Sequence, residues 1–210
     1  MIPVQILSVQ YVPNATAALC KALEIDRRQP SLALITTDSD DATYIALDEA
    51  TKAADVAVAF GRSFYAGAAN ATTPHAGEVL GILSAATPGA AQSGMAAALA
   101  ALERIGFEEA GGVPYLAHTV SSCGSFLARE AGVPQGSALT YLIAPPLESM
   151  VGMDAALKAA DVRLCKLYSP PTETNFGGGL LTGTQSACAA ACAAFREAVA
   201  EVAGRPNKER

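Results

Sequence analysis

Hydrophobic and polar positions along this chain switch repeatedly between two periods. VQILSV (Val4–Val9) alternates as a half-buried strand does, and NATAALCKALEI (Asn14–Ile25) then takes helical spacing behind an asparagine cap. SLALITT (Ser31–Thr37) predicts a strand, IALDEATKAA (Ile45–Ala54) a helix, and DVAVAF (Asp55–Phe60) a further strand. GRSFYAGAANATTP (Gly61–Pro74), with its small residues and closing proline, predicts a loop. EVLGILSA (Glu78–Ala85) predicts a strand, and the small-residue stretch Gly89–Ile105 a long helix.

The same order then returns. Strands are expected at Tyr115–Val120, Ala138–Pro146, Asp161–Tyr168 and Leu180–Thr184, and helices at Ser122–Ala131, Met153–Ala160 and Gln185–Ala203. Ser169–Gly179 is a loop at the place of Gly61–Pro74. TKAADV (Thr51–Val56) reappears as LKAADV (Leu157–Val162), 106 positions on. Ser31 and Ser137, Asp48 and Asp154, Ala50 and Ala156, and Ser63 and Ser169 match at the same offset. This predicts a tandem duplication of one domain of roughly a hundred residues. The domains are expected at 1–107 and 108–203, followed by a polar tail at 204–210. Strands alternating with helices over short connections give an α/β (α+β) fold, each half a sheet flanked by helices.

Composition narrows the function classes. Half of the residues are hydrophobic (51%), largely alanine, and there is no tryptophan, which favours close helix packing over a deep aromatic pocket. A net charge of −6 argues against nucleic acid and anionic membrane surfaces, both of which call for basic patches. No apolar run approaches the roughly twenty residues of a membrane span. Five cysteines without a C-x-x-C, behind an opening segment that does not read as a secretory leader, point to a reduced cytosolic setting. Cys188 and Cys192 lie four apart on a helix, but no further ligand completes a metal site, so they read as small buried hydrophobes.

Catalytic signals are sparse. The two histidines, His75 and His118, accompany no nucleophile motif, and the Gly177–Gly179 run lacks the residues of a phosphate cradle. DSDDATYIALDE (Asp38–Glu49) imitates a calcium loop at three positions but has Thr43 where glycine is required. One of Asp38, Asp40 and Asp41 is expected to start a helix, which leaves carboxylates able to face a ligand.

DSDDATYIALDEATKAADV, GRSFYAGAA, AGEVL, LAH, APPLE, DAALKAADV and PPTETNF, in this order, closely resemble the ethanolamine-utilisation shell proteins of bacterial microcompartments, over about Leu19–Ala203. The resemblance implies two circularly permuted shell domains per chain, with three chains forming a pseudohexameric disc that tiles with neighbouring shell proteins. It implies no cofactor, no metal and no enzyme activity, and a place in the cytoplasmic microcompartment shell. It also implies gate loops at a central pore, here Gly61, Arg62, Ser63, Phe64, Tyr65, Gly67, Glu173, Gly177, Gly178 and Gly179, with the glycines as hinges and the aromatics as bulk. A smaller pore for ethanolamine falls on Asp40, Asp41, Glu78, Phe107, Thr174, Asn175 and Phe176. Two carboxylates there suit an ammonium group, while the Thr174 and Asn175 side chains and the main chain at Phe107 suit its hydroxyl. Two other readings stay open: a small-molecule sensor whose ligand closes the gate, and a cofactor-independent enzyme with His75 and Glu78 as its only local acid/base pair.

Overall fold

Alternating aliphatic residues form strands here because one face of each sheet must be buried against helices. The computed structural model describes residues 1–64, 77–170 and 172–207. The chain divides into two compact units: Pro3–Gly106 with Gly124–Leu127, and Met1–Ile2 with Phe107–Cys123 and the chain from Ala128 onward.

The first unit holds β1 (Ile6–Val12), α1 (Ala17–Ala22), β2 (Ser31–Thr37), α2 (Asp40–Ala53), β3 (Val56–Ser63), β4 (Val79–Ala85) and α3 (Pro88–Leu102). Its sheet runs in the order β1-β2-β4-β3, every ladder antiparallel. Leu32 and Ile82 pack on one face with Cys20 and Ile25. On the other face, Gly94 brings α3 so close that a Cβ there would stand 2.8 Å from Val56.

The remaining elements are β5 (Glu108–Ala110), β6 (Val113–Val120), α4 (Ser125–Ala131), β7 (Ala138–Ala144), α5 (Pro146–Ala159), β8 (Val162–Tyr168), β9 (Gly177–Gly183) and α6 (Gln185–Gly204). The second unit's sheet has the order β5-β6-β7-β9-β8, again antiparallel throughout. Its core joins Tyr115, Leu142 and Leu181 to Met153, Ala156, Cys192 and Phe195. Cys188 is buried as well, so both helical cysteines of α6 face inward.

The duplication is visible in fine detail. The order β1-β2-β4-β3 returns as β6-β7-β9-β8. The β3–β4 register shifts between Val58 and Phe60, and the β8–β9 register shifts between Leu164 and Lys166, the same positions 106 residues on. Helices α3 and α6 open with Thr87 and Thr184, whose hydroxyls accept from the amides of Ala90 and Ala187. Each such cap is worth about 1 kcal/mol.

Several boundaries differ from the expected ones, for identifiable reasons. α2 starts at Asp40, not Ile45, because carboxylates are stabilised in a first helical turn and a hydroxyl network ties that turn to β2. α5 starts at Pro146, not Met153, since a proline in the first turn is already set for helix. β1 lies two to three residues later than expected, at Ile6–Val12. The β5–β6 hairpin was not foreseen; Gly111 and Gly112 turn it with φ of 57° and 83°, values an Asn-Gly or Gly-Gly type I′ turn adopts. Among the described residues, no helix is long and apolar enough to cross a membrane.

Candidate functional site

Where β2 gives way to α2, the chain gathers carboxylates in the first unit. Thr37 at the end of β2 bonds Thr43 through their hydroxyls (2.7 Å), and Thr43 donates to the Ser39 carbonyl (2.7 Å). This clamp fixes the first turn of α2, so that Asp40 and Asp41 are both held and both buried. Ser39 occupies the cap position without capping, and its buried hydroxyl has no partner among the described residues. Asp38 does not cap either: it accepts the Gln5 amide at 2.7 Å. The expected helix start among these aspartates falls at Asp40: Asp40 and Asp41 serve α2 by charge in its first turn, not by a side-chain cap.

Glu78 reaches this cluster from the position just before β4. Its amide donates to the Thr37 carbonyl (2.8 Å), and its own carbonyl accepts from Phe64 (2.9 Å). Burial, then the charges of Asp40 and Asp38, push the Glu78 carboxyl up to about 7. Burial also raises Asp40, opposed by a hydrogen bond from Ser63. Ser63 in turn contacts the Tyr44 hydroxyl at 2.6 Å, and burial raises that phenol. A Tyr44–Ser63–Asp40 chain therefore adjoins the acidic cluster. A cation placed here would oppose both the burial and the neighbouring carboxylates that raise Glu78.

Neither Ser63 nor Tyr44 stands out in sequence as part of this site. Ser63 reads as a gate residue and Tyr44 as an ordinary helix residue. The available signal was spacing, since Tyr44 lies four residues after Asp40 and so one helical turn above it.

In the second unit, a separate group forms around the turn Thr172–Asn175. Asn175 takes a left-handed φ of 61°, its amide donates to the Thr172 carbonyl (3.1 Å), and the Thr172 hydroxyl donates to the Phe176 carbonyl (2.9 Å). The Phe176 ring meets Phe107 edge-on, centroids 5.6 Å apart. The Phe107 carbonyl already accepts from Ile2, leaving it one lone pair for another donor. The structure thus groups Asp40, Asp41 and Glu78 in one unit and Phe107 with Thr174, Asn175 and Phe176 in the other.

The expected gate residues divide three ways. Gly61, Arg62 and Ser63 are not loop but the end of β3, paired with β4. Phe64 and Glu173 are exposed, whereas Tyr65, Gly67 and His75 lie outside the described residues. Gly177, Gly178 and Gly179 are corrected from hinge to strand: they open β9 and pair with β7, and Gly178 and Gly179 pair with β8 as well. Their glycine identity serves close approach. A Cβ on Gly178, whose φ is 147°, would fall 1.9 Å from the Leu142 carbonyl oxygen.

Comparison with known proteins follows this geometry closely. The chain is 53% identical over 205 residues to the bacterial microcompartment shell protein EutL of Clostridium perfringens, spanning 96% of this chain and 94% of that one. The crystal structure of EutL from the same organism superposes with a TM-score of 0.95 at 52% identity, covering 99% of this chain and 96% of that one. The crystal structure of the ethanolamine utilization protein EutL from Leptotrichia buccalis gives 0.94 at 52% identity, covering 99% and 97%. No protein-family model matches the chain.

Proposed function

Because the chain belongs to the EutL family of bacterial microcompartment shell proteins, we propose that three copies close into a pseudohexameric disc and that an acidic site in each copy binds ethanolamine. As a shell subunit the protein is structural, and its place is the shell of a microcompartment within the bacterial cytoplasm. Identity of 53% across 96% of the chain carries this reading.

The acidic cluster supports the ligand. Ethanolamine is an ammonium at neutral pH, and Asp40, Asp41 and Glu78 offer it charge-assisted hydrogen bonds. The unpartnered Ser39 hydroxyl adds an acceptor beside them. Thr174, Asn175 and the Phe107 main chain supply groups suited to a hydroxyl within their own unit. So small a ligand binds weakly; a millimolar constant corresponds to about −4 kcal/mol, and weak binding suits passage. Phe64 and Glu173, both exposed, are the described gate residues that would face a central passage.

Electron microscopy of the purified protein at rising concentration tests the shell reading. Flat layers of close-packed, three-lobed discs are expected. Discrete particles that never tile, or lobes in another number, would overturn the disc.

A further inference from the structure

Hydrogen-bond donors are shared unequally among the carboxylates where β2 meets α2. Asp38 accepts the Gln5 amide at 2.7 Å, and Asp40 accepts both the Asp41 amide at 2.8 Å and the Ser63 hydroxyl. Since Ser63 gives its proton to Asp40, the 2.6 Å contact between Ser63 and Tyr44 runs from the phenol to the Ser63 oxygen. Among the described residues no donor reaches the Glu78 carboxyl.

The cluster is not neutralised from within. Asp41 adds a further buried carboxylate in the first turn of α2. Among the described residues no lysine or arginine forms an ion pair with Asp38, Asp40 or Glu78. Lys52, further along α2, pairs with Glu49, and Arg62, next to Ser63 on β3, lies over the Phe60 ring, 5.4 Å from its centre.

Two buried hydroxyls are also left over. Ser39 is only 8% exposed, and neither its oxygen nor that of Thr36 has a partner among the described residues. Thr36 lies against Gly77, where a Cβ would stand 2.4 Å from its hydroxyl, and so borders the residue that leads into Glu78. Buried polar groups are ordinarily paired, so orphaned hydroxyls beside uncompensated carboxylates point to a polar, positively charged occupant.

We propose that the acidic site exchanges a proton for an ammonium: the Glu78 carboxyl releases its proton to solvent as the cation enters, while the Tyr44–Ser63 relay holds Asp40 ionised to receive it. The proposal rests on the ethanolamine reading of this site and adds what regulates its occupancy. Charge balances, one cation entering for one proton leaving. Burial and the charges of Asp40 and Asp38 push the Glu78 carboxyl up to about 7, so the proton to be displaced is present at pH 6 and gone at pH 8. An aliphatic amine stays charged throughout that range. Acid therefore empties the site and mild alkali fills it. Ser63 and Tyr44 act through Asp40 and are positioning residues.

The test is isothermal titration of the full chain with millimolar ethanolamine, in two buffers that lack a primary amine and differ in heat of ionisation. The difference in observed heat counts the protons released. About one proton should leave per ligand at pH 6 and almost none at pH 8, and binding should tighten roughly tenfold over that range. Equal affinity at both pH values without proton release would overturn the exchange alone. No binding at either pH would overturn the ethanolamine reading and the exchange together. Ser63→Ala tests the relay. It removes a donor from Asp40 without adding bulk, so circular dichroism should show an unchanged fold. Burial then raises Asp40 further, and the pH of half-maximal binding should move up. Ser63→Thr, which keeps the hydroxyl, should restore the parent profile. A Ser63→Ala chain whose affinity falls by the same factor at every pH would reduce the relay to packing and overturn it.

Discussion

Glu78 is the residue whose environment most departs from what its type alone dictates. Its carboxyl has an ordinary value of 4.5 and is pushed up to about 7, by burial first and by Asp40 and Asp38 after that. Between those two values the folded chain holds a proton that the unfolded chain has released. Stability therefore falls as pH rises through this window and levels off above it. Glu78→Gln cannot ionise, so its melting temperature should match the parent near pH 4.5 and exceed it by a few degrees at pH 8. Calorimetric scans across that range check this; an offset equal at both ends would mean that Glu78 acts by packing and not by charge. Asp40 is raised as well, but hydrogen bonds from Ser63 and the Asp41 amide oppose the shift, so the slope is assigned to Glu78.

At the scale of elements, glycines decide where strands can lie. Gly178 sits in β9 between β7 and β8, with a backbone conformation and a neighbouring carbonyl that exclude a side chain. Gly178→Ala should cost more than about 3 kcal/mol, enough to disrupt the second unit. Gly89→Ala in α3, where nothing lies within 4 Å, should instead stabilise by about 0.5–1 kcal/mol. Urea unfolding of both variants separates the cases, and a Gly178→Ala chain that melts like the parent would contradict the pairing of β9. The same residues show what the sequence could and could not reveal. Strands with aliphatic alternation, such as Ser31–Thr37, were legible because each side chain reports its own face. Gly177–Gly179 carries no such pattern and reads as a loop, although backbone pairing holds it. A helix start among Asp38, Asp40 and Asp41 was legible by charge, but which of them opens α2 emerges only when Thr37 and Thr43 are seen to lock the turn. The carboxylates of the site were legible by charge and motif, whereas Tyr44 and Ser63 join it only through β3 and α2 meeting in space.

Across the whole molecule, duplication has preserved the frame and changed what it carries. Bulges, helix caps and strand order recur, yet the acidic positions do not. Asp40 and Asp41 correspond to Pro146 and Leu147, and Glu78, just before β4, corresponds to Phe176, just before β9. The second repeat thus has no carboxylate at any of the three positions. A ring of six equivalent domains would carry six acidic sites, whereas this chain supplies one per copy and hence three in the proposed disc. Isothermal titration with ethanolamine should accordingly saturate at one ligand per chain. Asp40→Asn with Glu78→Gln should remove that binding while leaving the assembled mass unchanged. Two ligands per chain would show that the second repeat holds a site of different chemistry. Undiminished binding by the double variant would place the ligand away from the acidic cluster.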